Sequence, residues 1–247
     1  MNIPVSHLGT LPMHSYLSFA ALLLMTLFLA ACGSSSDPGT PIQPPGIGSR
    51  YLLQYDVFDS TGTAPSESTD YAMTVVAQKA PYHGRNGVTI FEIPGIFGAD
   101  SVGYFYDPNG DFEIPWSYFY AGNGHEFYTG IVWTPLSISA KPATTGVYAI
   151  DTAFGAGANA TRYTLTRTVS YLRPDNLTVG TEVVPVEVFV VRTARAFTAN
   201  TTSFTLQLDT ICYAPKLKFP AQISTSVSDD IGGIARQRTT LTEYILK

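Results

Sequence analysis

Few residues in this 247-residue sequence have the types and spacing to do chemistry. Asp107, Asn109 and Asp111 stand at the first, third and fifth positions of a would-be calcium loop. Such a loop also needs a Gly at its sixth position to turn the chain and a Glu at its twelfth to close the oxygen shell. Phe112 and Tyr118 hold those places, so the segment reads as a hairpin turn. His125 and Glu126 are adjacent in Gly122-Asn123-Gly124-His125-Glu126, but a zinc site takes three or four ligands. Beyond residue 31 the histidines are His83 and His125, and no H-x-x-x-H or C-x-x-C spacing occurs. There is no Gly-x-Ser-x-Gly elbow and no phosphate-binding glycine loop. No catalytic residue, metal or cofactor is therefore expected. The chain reads as a non-enzyme, with an envelope hydrolase as the less favoured alternative.

The two cysteines read differently. Cys212 follows Phe204, Leu206 and Leu208 at two-residue steps. Residues two apart share a face of a strand, so Cys212 is expected to be a buried, inert thiol. Cys32 closes Tyr16 to Ala31, an uncharged and almost wholly apolar run. That run is shorter than the roughly 20 residues of a membrane-spanning helix and suits the apolar core of a secretory signal peptide.

Leu29-Ala30-Ala31-Cys32 resembles a bacterial lipobox. The resemblance implies cleavage before Cys32, a diacylglyceryl group on its thiol and an acyl chain on its amino group. Several acyl chains make a firm anchor where a single chain is marginal. Gly33, in place of an Asp, is similar to the pattern of lipoproteins sent to the outer membrane. The leader departs from the usual pattern in one respect, since residues 1–15 carry no Lys or Arg. The alternatives are an ordinary secreted protein, whose cleavage site Leu29 does not suit, and an uncleaved anchor.

These assignments divide the chain into a signal peptide (1–31), a lipidated cysteine with a Pro-, Ser- and Gly-rich tether (32–49), and a folded domain (50–247). Residues 33–49 show no periodicity and too little apolar content to fold. In the domain, short alternating segments recur: Tyr51 to Phe58, Tyr71 to Gln78, Val88 to Ile93, Thr161 to Tyr171, Ser203 to Tyr213 and Thr239 to Leu246. Val183 to Arg192 is apolar on both faces apart from Glu187, which suits a central strand. Pro108-Asn109-Gly110 between aromatic runs is a hairpin signal. The expected fold is all-β, a curved antiparallel sheet forming a sandwich or open barrel.

The layout also resembles uncharacterised bacterial envelope lipoproteins. Pro135-Leu136-Ser137-Ile138 through Gly146-Val147-Tyr148 is similar to a mid-chain segment of that group. Cys212-Tyr213-Ala214-Pro215-Lys216-Leu217 and Leu241-Thr242-Glu243-Tyr244 are similar to its later ones. The resemblance implies a curved antiparallel sheet like that of the LolA/LolB lipoprotein carriers.

Fourteen Lys and Arg against nineteen Asp and Glu give a net charge of −5, which lacks the electrostatic drive for nucleic-acid binding. Aromatic residues crowd residues 104–133. Tyr104, Tyr106, Trp116, Tyr118, Tyr120 and Trp133 are the candidate contacts for an apolar ligand or an envelope partner protein. The expected function is that of an outer-membrane lipoprotein facing the periplasm, held there through acyl chains on Cys32. It would bind such a ligand, or act as a ligand-free subunit of an envelope complex.

Overall fold

The computed structural model describes residues 42–247, except residues 60–61, 63, 96–97, 109, 123–124, 155–160, 199–201 and 230–232. Alternating sequence produces strands throughout: β1 (Arg50–Phe58), β2 (Pro65–Tyr82), β3 (Arg85–Gly95), β4 (Gly98–Tyr106), β5 (Asp111–Gly122), β6 (His125–Ser137), β7 (Thr145–Phe154), β8 (Thr161–Val179), β9 (Glu182–Thr198), β10 (Thr202–Ala214), β11 (Phe219–Asp229) and β12 (Ile234–Ile245). They form one sheet in the order β6-β5-β4-β3-β2-β1-β12-β11-β10-β9-β8-β7. Two halves, β1–β6 and β7–β12, are successive hairpins. The antiparallel β1–β12 ladder, from Arg50↔Ile245 to Phe58↔Arg236, joins them. The result is a nearly closed antiparallel barrel. The turns after β2, β4, β6, β8 and β10, together with the start of β1 and the end of β12, lie at one end, the base.

The Pro-Asn-Gly signal lies where a hairpin was expected. Asp107 and Asp111 close the β4–β5 turn, with the Asp107 N–H donating to the Asp111 carbonyl at 2.8 Å. Gly110 takes φ +98°, which costs a Gly nothing and any other residue strain.

Alternation sorts the side chains. Along β8, Tyr163, Leu165 and Val169 are buried, whereas Arg162, Thr164, Thr166, Thr168 and Ser170 are half-buried or exposed. Apolar inside and polar outside is the reverse of a lipid-spanning barrel, which presents an apolar band outward. The described outer wall of β8 therefore faces water.

The base is plugged. Ala214 to Phe219 turns into the barrel and buries Leu217 and Phe219. Tyr51 donates to the Leu217 carbonyl at 3.0 Å and Tyr106 to the Lys218 carbonyl at 2.8 Å. Phe219 stacks on Tyr51 with centroids 4.1 Å apart and packs against Phe91 and Tyr104.

Three local expectations are corrected. The tether was expected to run unfolded through Ser49, but residues 42–49 pack on the base. The Gly46 N–H donates to the Lys247 carbonyl (3.1 Å), the Gly48 N–H to the Val75 carbonyl (2.8 Å) and Gln78 Nε2 to the Pro45 carbonyl (2.7 Å). Backbone groups of β2 beyond Thr74, where its ladder with β1 stops, and at the end of β12 require partners, and an extended Pro/Gly segment supplies them. On β10, the apolar step was expected to face inward. Leu208 is exposed instead, and Asp209 is buried. The reason is a buried arginine, described below. Cys212 is buried nonetheless, within Ile211 to Ala214, where every residue is buried; burial pushes its thiol pKa up. Lastly, Tyr104 and Tyr106 are core residues packed on Phe112, with ring centroids 5.3 and 5.1 Å away, and offer no surface to a partner.

The β1–β12 closure carries a pH-dependent contact. Burial pushes the Asp56 carboxyl up, but hydrogen bonds from Ser68 (2.6 Å) and Arg238 (2.9 Å) outweigh it, so its pKa falls below the ordinary value. A carboxylate with a depressed folded pKa adds stability above its unfolded pKa, about 3.9, and loses it as pH falls through the folded value. Stability to urea is expected to fall below about pH 4. The slope should be shallower in Asp56→Asn, and an unchanged slope would remove Asp56 from the closure.

Candidate functional site

The outer wall near the base holds a half-buried aromatic–arginine patch built by β2 to β6. Tyr82 ends β2, Arg85 begins β3, Phe105 lies near the end of β4, Glu113 near the start of β5, and Trp133 on β6. Gly103 makes the close packing possible, since a Cβ there would stand 2.7 Å from a Tyr82 ring carbon and 2.6 Å from Val88. The Tyr82 ring lies over this gap, and its hydroxyl donates to the Ser101 carbonyl at 3.0 Å.

Arg85 organises the patch. Its guanidinium sits 3.8 Å from the Phe105 ring centroid and 5.3 Å from that of Trp133. It forms a two-pronged pair with Glu113, one prong being Nη2 to Oε1 at 2.5 Å. A planar guanidinium clamped by a carboxylate and laid on aromatic faces is rigid. Tyr82 meets Trp133 edge-on at 6.3 Å and His83 at 4.3 Å. Burial lifts the Glu113 carboxyl above its ordinary range, and Arg85 draws it only partly back. Trp, Tyr and Arg held rigid at a half-exposed site are the residues that dominate binding energy at protein interfaces.

Of the six sequence candidates, Trp133 alone is placed in this patch. Tyr104 and Tyr106 belong to the core. The side chains of Trp116, Tyr118 and Tyr120 lie outside the described residues, as do those of His125 and Glu126, and so does Cys32. Tyr82 and Arg85 were missed as contacts, while Phe105 falls in the aromatic-rich stretch 104–133 but was not among the six candidates. The signal for them was weak: a lone arginine beside Tyr-His-Gly in a turn gains meaning only when β3 pairs with β4. Among the described residues no three His, Cys, Asp or Glu side chains gather where a metal could bind.

A second polar site lies inside the barrel. Arg167, which is 3% exposed, donates through Nε to Thr134 Oγ1 (2.8 Å) and through Nη1 to Thr193 Oγ1 (2.5 Å). Its Nη1 stands 3.9 Å from Asp209 Oδ2. Asp209 also accepts from Gln207 (2.9 and 3.0 Å) and Thr225 (2.8 Å), while Arg195 donates to Gln207 at 2.8 Å. Burial pulls the Arg167 pKa down to about 10, so it stays charged at neutral pH. Its neighbours explain why β10 turns Asp209 inward. Among the described residues no backbone ladder joins β6 to β7. The Arg167–Thr134 bond from β8 to β6 therefore bridges the one gap in the barrel wall. This cluster is held together by hydrogen bonds among its own members and reads as architecture.

The described residues thus form a twelve-stranded, nearly closed antiparallel barrel with a plugged base and an aromatic–arginine patch on the outer wall beside the plug. No protein-family model matches the chain, and no curated protein sequence does. Among solved structures it is similar to a "putative lipoprotein" from Parabacteroides distasonis. The identity is 11%, the alignment covers 83% of this chain and 99% of that one, and the TM-score is 0.46. A likeness at that score carries no argument, so the functional reading stands on this chain's own residues.

Proposed function

We propose that this chain is a bacterial envelope lipoprotein, anchored in the outer membrane through acyl chains on Cys32 and facing the periplasm, that binds a partner protein and catalyses no reaction. The anchor is supported by Leu29-Ala30-Ala31-Cys32 at the end of an apolar leader, and the membrane by Gly33. The observation that carries the interaction role is the division of the aromatic residues. Those of the base fill the core ring against ring, while Tyr82, Phe105 and Trp133 surround Arg85 on the outer wall. An apolar-ligand carrier has less support, because Tyr104 and Tyr106, two of the rings proposed to line its cavity, are packed on one another's neighbours.

The anchor is tested by Cys32→Ala. The protein is expected to move from the membrane pellet to the soluble fraction and to lose its acyl mass. An unlipidated wild-type mature chain would sink this part of the reading. The partner is tested in cells with a photo-crosslinking residue at Trp133 and a control at Thr166 on another part of the wall. A discrete adduct is expected at Trp133 alone. Arg85→Glu should weaken it about thirtyfold, as for a hot-spot residue worth about 2 kcal/mol. Equal labelling from both positions would dismiss the patch.

A further inference from the structure

We infer that the base of the barrel is a membrane-docking face, held flat on the lipid surface that carries the chain's own anchor. The inference rests on acylation of Cys32. Four features meet at this end. The first is reach. Because residues 42–49 are packed on the base, only residues 33–41 separate Cys32 from the folded body. That span extends about 35 Å at most, and about 17 Å as a relaxed coil. The base therefore cannot leave the headgroup region by far.

The second feature is charge. All five lysines of the chain lie at the base: Lys79 near the end of β2, Lys141 after β6, Lys216 and Lys218 in the β10–β11 turn, and Lys247 after β12. Lys141 and Lys216 pair with Glu187 and Glu182. Among the described residues, Lys79, Lys218 and Lys247 make no ion pair. Asp107, Asp111 and Glu243 share this end, so the base is close to balanced. The far half holds Asp56, Asp59, Glu67, Asp70, Glu92, Asp100, Asp151 and Asp229 against Arg162, Arg167, Arg192, Arg195, Arg236 and Arg238, has no lysine, and stays net negative. An anionic lipid surface repels that half and accepts the base.

The third feature is exposed apolar surface beside those lysines. Ile47 and Ile245 are each 59% exposed and Val183 is 64% exposed, and Leu246, which follows Ile245, is exposed as well. The Gly46–Lys247 hydrogen bond brings Ile47 alongside the Ile245-Leu246 end. Apolar side chains flanked by lysines are the pattern of an interfacial surface. The fourth is strain. Lys79, Lys141 and Lys218 hold φ of +54°, +45° and +55°. Glycine or asparagine would occupy such positions at less cost, so the fold alone does not account for lysine there.

The test uses the full acylated chain in vesicles of phosphatidylethanolamine with a minority of phosphatidylglycerol. A fluorophore is attached at Ile47→Cys or, at the far end, Ile234→Cys; Cys212 is buried and Cys32 is acylated, so labelling is confined to the new thiol. Iodide quenching at Ile47→Cys is expected to be several-fold weaker than at Ile234→Cys, with brominated lipid quenching only the former. Replacing Lys79, Lys218 and Lys247 by Glu should remove most of that difference. Equal iodide quenching at both sites in acylated, vesicle-bound protein overturns the docked base and leaves the anchor standing. Protection at Ile47→Cys that occurs in cells and not in vesicles overturns it in favour of a protein partner. Absence of acyl mass on Cys32 overturns the anchor and the docked base together.

Discussion

Arg167→Ala is expected to destabilise the barrel by about 3 kcal/mol, the lower end of the cost of breaking a buried ion pair. The lower end applies because Asp209 keeps its bonds from Gln207 and Thr225. What it loses is the guanidinium 3.9 Å away, and Thr134 and Thr193 lose their donors at the same time. In a domain of this size that corresponds to a fall in Tm of about 6–12 °C. The test of mechanism is the pair of changes. Arg167→Met should cost nearly as much as Arg167→Ala, because methionine restores volume and leaves Asp209 without its cation. Combining Arg167→Met with Asp209→Leu should recover most of the loss, since a buried pair replaced by apolar residues is often neutral. Urea unfolding midpoints measure all three. A cost below about 1 kcal/mol for Arg167→Ala would place the arginine at a solvated surface rather than across the gap between β6 and β8.

Phe219→Ala is expected to cost more, about 3–5 kcal/mol, the range for truncating a buried phenylalanine. Phe219 is 1% exposed and touches Tyr51, Phe91 and Tyr104, so its removal leaves a cavity under three rings that are themselves held by other contacts. Tyr51 cannot collapse into that space without giving up its bond to the Leu217 carbonyl. Partial collapse is why the cost exceeds simple transfer of the side chain. Tyr213→Phe serves as a control in the same core. Its hydroxyl is buried and has no hydrogen-bond partner among the described residues. Removing it should leave stability unchanged or raise it by about 1 kcal/mol, since an unsatisfied buried hydroxyl is a cost. Thermal unfolding of the two variants should therefore move in opposite directions or leave Tyr213→Phe in place. A large loss in Tyr213→Phe would mean that the hydroxyl has a partner in water.

Should the docked base hold, it bears on the patch as well. Trp133 lies four residues before the basal end of β6, or about 13 Å along the strand. A partner reaching it would then meet the barrel close to the lipid surface.

The sequence by itself determined what depends on neighbouring residues. Alternation from Tyr163 to Tyr171, interrupted on its apolar face by Arg167, requires a strand, because side chains repeat every two residues. Asp107 to Asp111 requires a turn, because Gly110 alone tolerates its backbone angle cheaply. The proposed lipobox, Leu29 to Cys32, likewise depends on neighbouring residues alone. Tertiary structure decided everything that depends on which face turns inward. On β10, alternation set Leu206 and Leu208 against Gln207 and Asp209 but gave no sign to the two faces. The sign came from Arg167 and Arg195 on β8 and β9, whose polar atoms needed Gln207 and Asp209 inside the barrel. The aromatic residues divided for the same reason. Tyr104 and Phe105 are adjacent, yet one is core and the other lies under Arg85 on the outer wall, because successive residues of a strand point to opposite faces. Composition shows that a chain is rich in rings; only the pairing of β3 with β4 and of β5 with β6 settles which of them meet water.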